Sequence, residues 1–295
     1  MSKFVKALSV VVIVWLVLFL VQEGFTSWLP GAFHINIGNF GFNHATKDET
    51  LNHEAADLQA ISVETHNGSV TLHGKEDGGI EIQAHYESRA SSSSRAQDLV
   101  DSFTTDLSVA SGQLLVKANF AGTSYNNQSV SYEIYLPKSL DVIVQTSNGA
   151  VTLNGLAAEA DLTSSNGAIS VFSDSGMGDV RIHTSNAKIE VAVPSGMNQL
   201  TAESSNGRIE IDGNPAEGGQ WQLRTSNGGI RVTLPQALGV KLDAGTSNSS
   251  IDVGDGPWSV NGGKLSSKEV SATRGDGALD LLTHTSNASI EIIDR

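Results

Sequence analysis

The chain has 295 residues, 30 glycines, six prolines and no cysteine, and its formal net charge is −14. Without cysteine there is no disulfide framework, thiolate metal site, thiol nucleophile or acylated lipoprotein anchor, and so acidic a chain repels phosphate backbones, so nucleic acid is not an expected partner. The charged fraction of 17% lies below the usual quarter.

At the amino end, Lys3 and Lys6 precede an apolar run, Ala7 to Val21, interrupted by Ser9. Positive charge before an apolar run keeps the amino end cytoplasmic and sends the rest across the membrane. A spanning helix needs about 20 residues and a cleaved signal an apolar stretch of about 7–15. The run lies between the two. Phe4 and Lys6 lengthen it at one end, Phe25 and Trp28 can rest in the interface at the other, and no A-x-A site follows. The reading taken is an uncleaved anchor over residues 1–25, a single transmembrane helix, with the cleaved signal as the alternative. Residues 26–57 read as a juxtamembrane stalk, with glycines and phenylalanines followed by the polar stretch HATKDETLNHEA.

Residues 58–140 read as an N-terminal β-rich cap. Within it Ser91–Phe103 has helical spacing in Ala96, Leu99, Val100 and Phe103. Strands are expected around Leu107–Val109, Leu114–Lys117 and Tyr132–Leu136.

The strongest signal is a recurring phrase: THNGSV at Thr65, TSNGAV at Thr146, SSNGAI at Ser164, TSNAKI at Thr184, SSNGRI at Ser204, TSNGGI at Thr225, TSNSSI at Thr246 and TSNASI at Thr285. Its asparagines are Asn67, Asn148, Asn166, Asn186, Asn206, Asn227, Asn248 and Asn287. From Asn148 to Asn248 the spacings are 18, 20, 20, 21 and 21; the last, 39, reads as two periods with one turn looped out. Two residues before each asparagine stands Ser or Thr, and Val or Ile stands three after it. On either side the apolar residues alternate with period 2, as in strands, and across the asparagine the parity breaks, as at a corner. Residues 141–295 are therefore expected to be β-solenoid repeats with about 20-residue rungs stacked about 4.8 Å apart. By parity with the inward residues before it, each asparagine is expected inside the corner, where identical amides form a structural ladder. The alternative is a surface row that binds a ligand.

The TSNGxIxV phrase, the helix around Ala96–Phe103 and the passage YEIYLPKSLDVIVQTSNG from Tyr132 resemble the bacterial putative-adhesin β-strand-repeat family, a domain of unknown function. The resemblance covers roughly Leu58 to Arg295 and departs from the pattern over Gly254–Gly277. It implies an all-β repeat fold on a bacterial surface and no catalytic motif.

Chemistry is sparse. There is no phosphate-binding glycine loop, G-x-S-x-G elbow or H-E-x-x-H. His66 and His73 flank the first corner without a second pair at metal-ligand spacing. Asp77, Asp255 and Asp276 sit in glycine turns, but the calcium-binding G-G-x-G-x-D repeat is missing. Arg274-Gly275-Asp276 spells an integrin-type tripeptide that reads as a polar turn. Asp161, Glu190, Glu203, Glu210 and Asp252 could pair for glycan cleavage or form a solvated face. No catalytic, cofactor or metal residues are assigned. The function expected is non-enzymatic: a membrane-anchored, exported β-solenoid that binds or scaffolds in the cell envelope, with polysaccharide or another envelope protein as partner. An envelope-stress sensing component and a carbohydrate-active enzyme are the alternatives.

Overall fold

The computed structural model describes residues 43–120, 127–254, 256–260 and 266–295, within one compact unit, Phe42–Arg295. Each repeat lays down one strand before its asparagine and one after it. The strands before it are β2 (Ala60–Glu64), β8 (Asp141–Thr146), β10 (Ala160–Ser164), β12 (Val180–Thr184), the latter parts of β13 (Ile189–Ser204) and β14 (Ile209–Thr225), β19 (Leu279–Thr285) and β16 (Val240–Thr246), paired in parallel in that order. The strands after it follow the same spatial order: β3 (Val70–Lys75), β9 (Val151–Asn154), β11 (Ile169–Phe172), the first parts of β13 and β14, β15 (Ile230–Leu234), β20 (Ile290–Asp294) and β17 (Ile251–Asp252).

Register follows from the repeat. Val70, Val151, Ile169, Ile189, Ile209, Ile230, Ile290 and Ile251 form one column of Cα partners. β-branched side chains on alternate positions suit a pleated strand with one buried face, and Ile169, Ile189 and Ile209 are wholly buried. Each buried Val, Ile or Leu stabilises the fold by about 1.5–3 kcal/mol. A slip of one residue would turn every such side chain to water, so register is strongly specified.

The ends differ from the middle. At one end β4 (Ile80–Ala90) pairs antiparallel with β7 (Gln128–Pro137), which lies parallel to β3, and β1 (Asn43–His53) pairs antiparallel with β4. On the other strand set β6 (Gln113–Asn119) joins β2, and β5 (Thr104–Ala110) pairs antiparallel with β6. The helix α1 (Ser93–Asp101) starts where the Ser92 hydroxyl accepts from the Arg95 N–H, buries Ala96 and Val100, and packs on β1 and β4. At the far end β18 (Glu269–Arg274) runs antiparallel to β16.

The expected architecture, a β-solenoid preceded by a transmembrane helix, is corrected by this structure. All twenty strands among the described residues belong to one sheet, because β13 and β14 each run through both strand sets and weld them together. The cap expected over 58–140 is not separate from the repeats: β2 and β3 are the first layer of the same array. Layers do not follow chain order either, since the final repeat lies between those of Asn227 and Asn248. Residues 43–53, expected in the stalk, are strand β1. Among the described residues no helix is long and apolar enough to cross a membrane. The apolar run itself, and the anchor and stalk as far as residue 42, lie outside the described residues.

Candidate functional site: the asparagine row

Each corner is built from four residues, Ser/Thr–Ser–Asn–Gly in four of the eight repeats. The strand ends at the first of them, and its side chain turns inward: Thr146, Ser164, Thr184, Ser204, Thr225, Thr246 and Thr285 are all buried. These hydroxyls donate across the layers, Ser164 to the carbonyl of Gly149 (3.0 Å), Thr225 to Gly207 (3.2 Å), Thr285 to Gly228 (2.9 Å) and Thr246 to Ala288 (3.0 Å). Within their own corners the Thr146, Ser164, Ser204 and Thr225 oxygens accept from the N–H of Gly149 (3.2 Å), Gly167 (2.9 Å), Gly207 (2.8 Å) and Gly228 (3.2 Å), so Ser164 and Thr225 do both. One small hydroxyl thus satisfies a buried N–H and a buried carbonyl, which unpaired would each cost about 1–3 kcal/mol.

The glycine fits where a side chain does not. A Cβ on Gly167 would lie 1.7 Å from the Gly149 carbonyl oxygen, and one on Gly149 at 1.7 Å from that of Gly68. The backbone N–H groups of Ser165 and Asn166 both donate to the carbonyl of Ser147, and this pattern repeats at Ser185 and Asn186.

The asparagines themselves point outward, against the expectation that they lie inside the corner. Asn148, Asn166, Asn186, Asn206, Asn227, Asn287 and Asn248 are exposed and Asn67 is half-buried. The chain turns one residue before the asparagine, so the strand parity that would have carried it inward has already ended. Its amides form a continuous row. Each Nδ2 donates to the Oδ1 of the layer before it: Asn148 to Asn67 (2.7 Å), Asn166 to Asn148 (2.6 Å), Asn186 to Asn166 (2.7 Å), Asn206 to Asn186 (2.7 Å) and Asn227 to Asn206 (2.7 Å). Asn287 then donates to Asn227 (2.6 Å) and Asn248 to Asn287 (2.6 Å). At the other end Asn67 donates to the carbonyl of Gln128 (2.9 Å). With one N–H and one lone pair used along the row, every interior amide keeps a second N–H and a second lone pair for what lies outside.

Further back along the strands preceding the asparagines, five to seven residues before them, lies a shallow groove lined by Gln199, Thr201, Gln220, Gln222, Lys241 and Asp280. It offers amide, hydroxyl and charged groups from four neighbouring layers. The sequence reading missed it: Gln199, Gln220, Lys241 and Asp280 each stand seven residues before an asparagine, and Thr201 and Gln222 five before, but the residue type changes from layer to layer, so no repeated phrase marks them.

Of the outward acids Asp161, Glu190, Glu203, Glu210 and Asp252, two, Glu190 and Glu210, are tied to bases. Glu210 bonds Lys188 (2.6 Å) and Arg208 (3.3 Å), Glu190 bonds Lys188 (3.1 Å), and Glu291 bonds Arg231 (2.6 Å). Lys188 holds the Glu210 carboxyl below the usual range, and Glu210 holds the Lys188 ammonium above its own. A carboxylate so stabilised is a poor proton donor. Glu203 lies 4.0 Å from His183. The first-corner histidine His73 stacks on Tyr135 at 4.8 Å and bonds Glu133 (3.1 Å). Among the described residues no group of three His, Asp or Glu could hold a metal ion.

Two further polar clusters close the ends. At the β1 end the Tyr86 hydroxyl donates to Glu49 (2.7 Å) and meets the Thr105 hydroxyl (2.7 Å), which meets that of Tyr132 (2.9 Å). Burial pushes both tyrosines well above their ordinary pKa, so they titrate as structural groups rather than acids. At the other end Arg274 is buried, pairs with Asp294, donates to the Leu238 carbonyl (3.1 Å) and lies over the Trp258 ring at 5.0 Å. The Arg274-Gly275-Asp276 tripeptide therefore does not present its arginine.

A family model described as Toastrack DUF4097 matches residues 58–213 and again 140–292. A search of the curated proteins finds no match. Among solved structures, a "putative adhesin" from Bacteroides fragilis is 14% identical, covering 84% of this chain and 97% of that one at a TM-score of 0.42. A "putative cell adhesion protein" from Clostridium sporogenes is 13% identical, covering 85% and 100% at 0.32. A "putative lipid binding protein" from Parabacteroides distasonis is 11% identical, covering 87% and 98% at 0.27.

Proposed function

This chain belongs to the Toastrack DUF4097 family, and on that premise we propose that it is an adhesin-like, non-catalytic binding protein of the bacterial cell envelope. The observation that carries this reading is the exposed asparagine row, which repeats one amide per layer across eight layers. A surface that repeats one hydrogen-bonding group along a line suits a partner that repeats as well, and polysaccharide is the envelope polymer richest in hydroxyls. The polar groove over Gln199, Gln220 and Gln222, five to seven residues back along the same strands, offers a separate set of hydrogen-bonding groups at positions that also recur from layer to layer. Work on the exported side of the membrane is supported by Lys3 and Lys6 ahead of the apolar run to Val21. The ion pairs of Glu210 and Glu190 favour a scaffold over a glycan-cleaving site.

The test is a binding titration of the purified full chain against envelope polysaccharides and their short oligosaccharides. Because many weak contacts add along a line, a long polymer should bind about a hundredfold more tightly than a fragment, in the range of avidity gains. Equal affinity for short fragments, or no binding to any polysaccharide, would contradict the reading. Product release from such a glycan that disappears in Glu210→Gln would return the protein to the enzymes.

A further inference from the structure

Five corners place glycine directly after asparagine, at Asn67, Asn148, Asn166, Asn206 and Asn227, and the last four share one hydrogen-bond pattern. That pair is chemically labile. The glycine nitrogen, once it loses its proton to hydroxide, can attack its neighbour's side-chain Cγ. The N–Cγ bond forms, the Cγ–Nδ2 bond breaks and ammonia leaves, giving a five-membered imide. Water then opens the ring at either carbonyl, leaving aspartate or isoaspartate. Glycine permits this because no Cβ obstructs the approach; alanine or serine at the same place hinders it.

We propose that these four asparagines are deamidation sites that the folded corner holds shut, so that their conversion records each opening of a layer. Both reacting groups are restrained. The attacking N–H donates to a buried hydroxyl: Gly149 to Thr146, Gly167 to Ser164, Gly207 to Ser204 and Gly228 to Thr225. No base reaches it there. The carboxamide is held lengthwise in the row by one bond on each side, as Asn166 is by Asn148 and Asn186. Cyclisation needs both to release together, which means opening the layer.

The modification does not reverse on refolding. An aspartate at position 166 can still accept from Asn186 but has no N–H for Asn148, so two acceptors face each other at what was 2.6 Å. Isoaspartate inserts an extra main-chain carbon and breaks the register. Three row asparagines provide internal references, because Asn186 and Asn287 precede alanine and Asn248 precedes serine.

The purified full chain is incubated at mildly alkaline pH, with and without denaturing urea, and peptides are mapped by mass with an isoaspartate assay. In urea, Asn148, Asn166, Asn206 and Asn227 should convert well ahead of Asn186 and Asn287. In the folded protein the same four should convert at least about tenfold more slowly, as for backbone groups released only by opening. Ser164→Ala should restore fast conversion at Asn166 in the folded state while Asn206 in the same molecule stays slow. If that variant does not melt cooperatively, Thr225→Val replaces it, with Asn227 as the reporter. Equal rates with and without urea would overturn the proposal. So would conversion of Asn186 in urea as fast as Asn166, or a folded hydroxyl variant with no change at its own asparagine.

Discussion

At each corner a buried hydroxyl and an exposed amide divide the work. The Thr225 hydroxyl bridges the Gly228 N–H and the Gly207 carbonyl, both out of water. Thr225→Val keeps the shape and strands both, so it should cost about 1–3 kcal/mol in a urea melt. Asn186→Ala removes two row bonds that water can replace, and should cost less, about 0.5–1.5 kcal/mol. A larger loss for Asn186→Ala would mean that the row, not the hydroxyl, holds the corner. The Ser/Thr was legible in the sequence as an invariable part of the phrase, and the alternation on each side placed the Val and Ile columns inward. The asparagine's direction was not legible, because parity counting cannot show whether a turn begins at or before a given residue. The Lys188–Glu210 pair was also hidden, since its partners lie one layer apart.

That pair has a pH signature. Glu210 has a folded pKa below its ordinary value, so its contribution is complete above the unfolded carboxylate value of about 4.3 and is lost as pH falls through the folded one. Lys188 is raised, so its contribution is complete below about 10.4 and is lost as pH rises through its folded value. Glu210→Gln should therefore be less stable than wild type near neutral pH, and the two should converge in acid. Salt should narrow the gap, because both groups are partly solvated. A gap that stays constant into acid would show that lost packing, not charge, is responsible.

Among the elements, β19 and β20 matter most, because they come last in the chain yet lie inside the array. β19 pairs with β14 on one side and β16 on the other, and β20 pairs with β15 and β17. In hydrogen exchange the amides of Leu281 and Ile290 should be about as protected as those of Leu223 and Ile209, whereas Ile251, in the two-residue strand β17 and held on its outer side only by the Ser267 carbonyl, should exchange sooner than Ile290. Rapid exchange at Ile290 would put the last repeat back at an open end. The spacing of 39 residues before Asn287 marked an irregularity, but the local pattern is the same whether the chain advances one layer or overshoots and returns. The return is made through β18, whose antiparallel pairing with β16 carries no repeat signature. Residues 43–53 were equally opaque, since a polar edge strand with Lys47, Asp48 and Glu49 has the composition of a linker.

On the scale of the whole molecule, parallel layers in common register turn one short phrase into a line of amides. Its ends are closed by antiparallel strands, by the Tyr86–Thr105–Tyr132 cluster at one end and by Arg274 at the other. All of this depends on the order of layers, with Asn287 between Asn227 and Asn248. The chain has no cysteine, so that order can be read with engineered pairs. Arg224 and His284 are Cα partners on adjacent strands, and His284 is in turn the partner of Gly245. Adjacent strands lie about 4.8 Å apart, within disulfide reach, and strands two layers apart lie at about twice that, beyond it. The decisive measurement is oxidation of two double variants followed by peptide mapping. Arg224→Cys with His284→Cys should close a disulfide in the folded protein, and Arg224→Cys with Gly245→Cys should not. A disulfide between 224 and 245, with none between 224 and 284, would restore simple chain order and contradict the row as described.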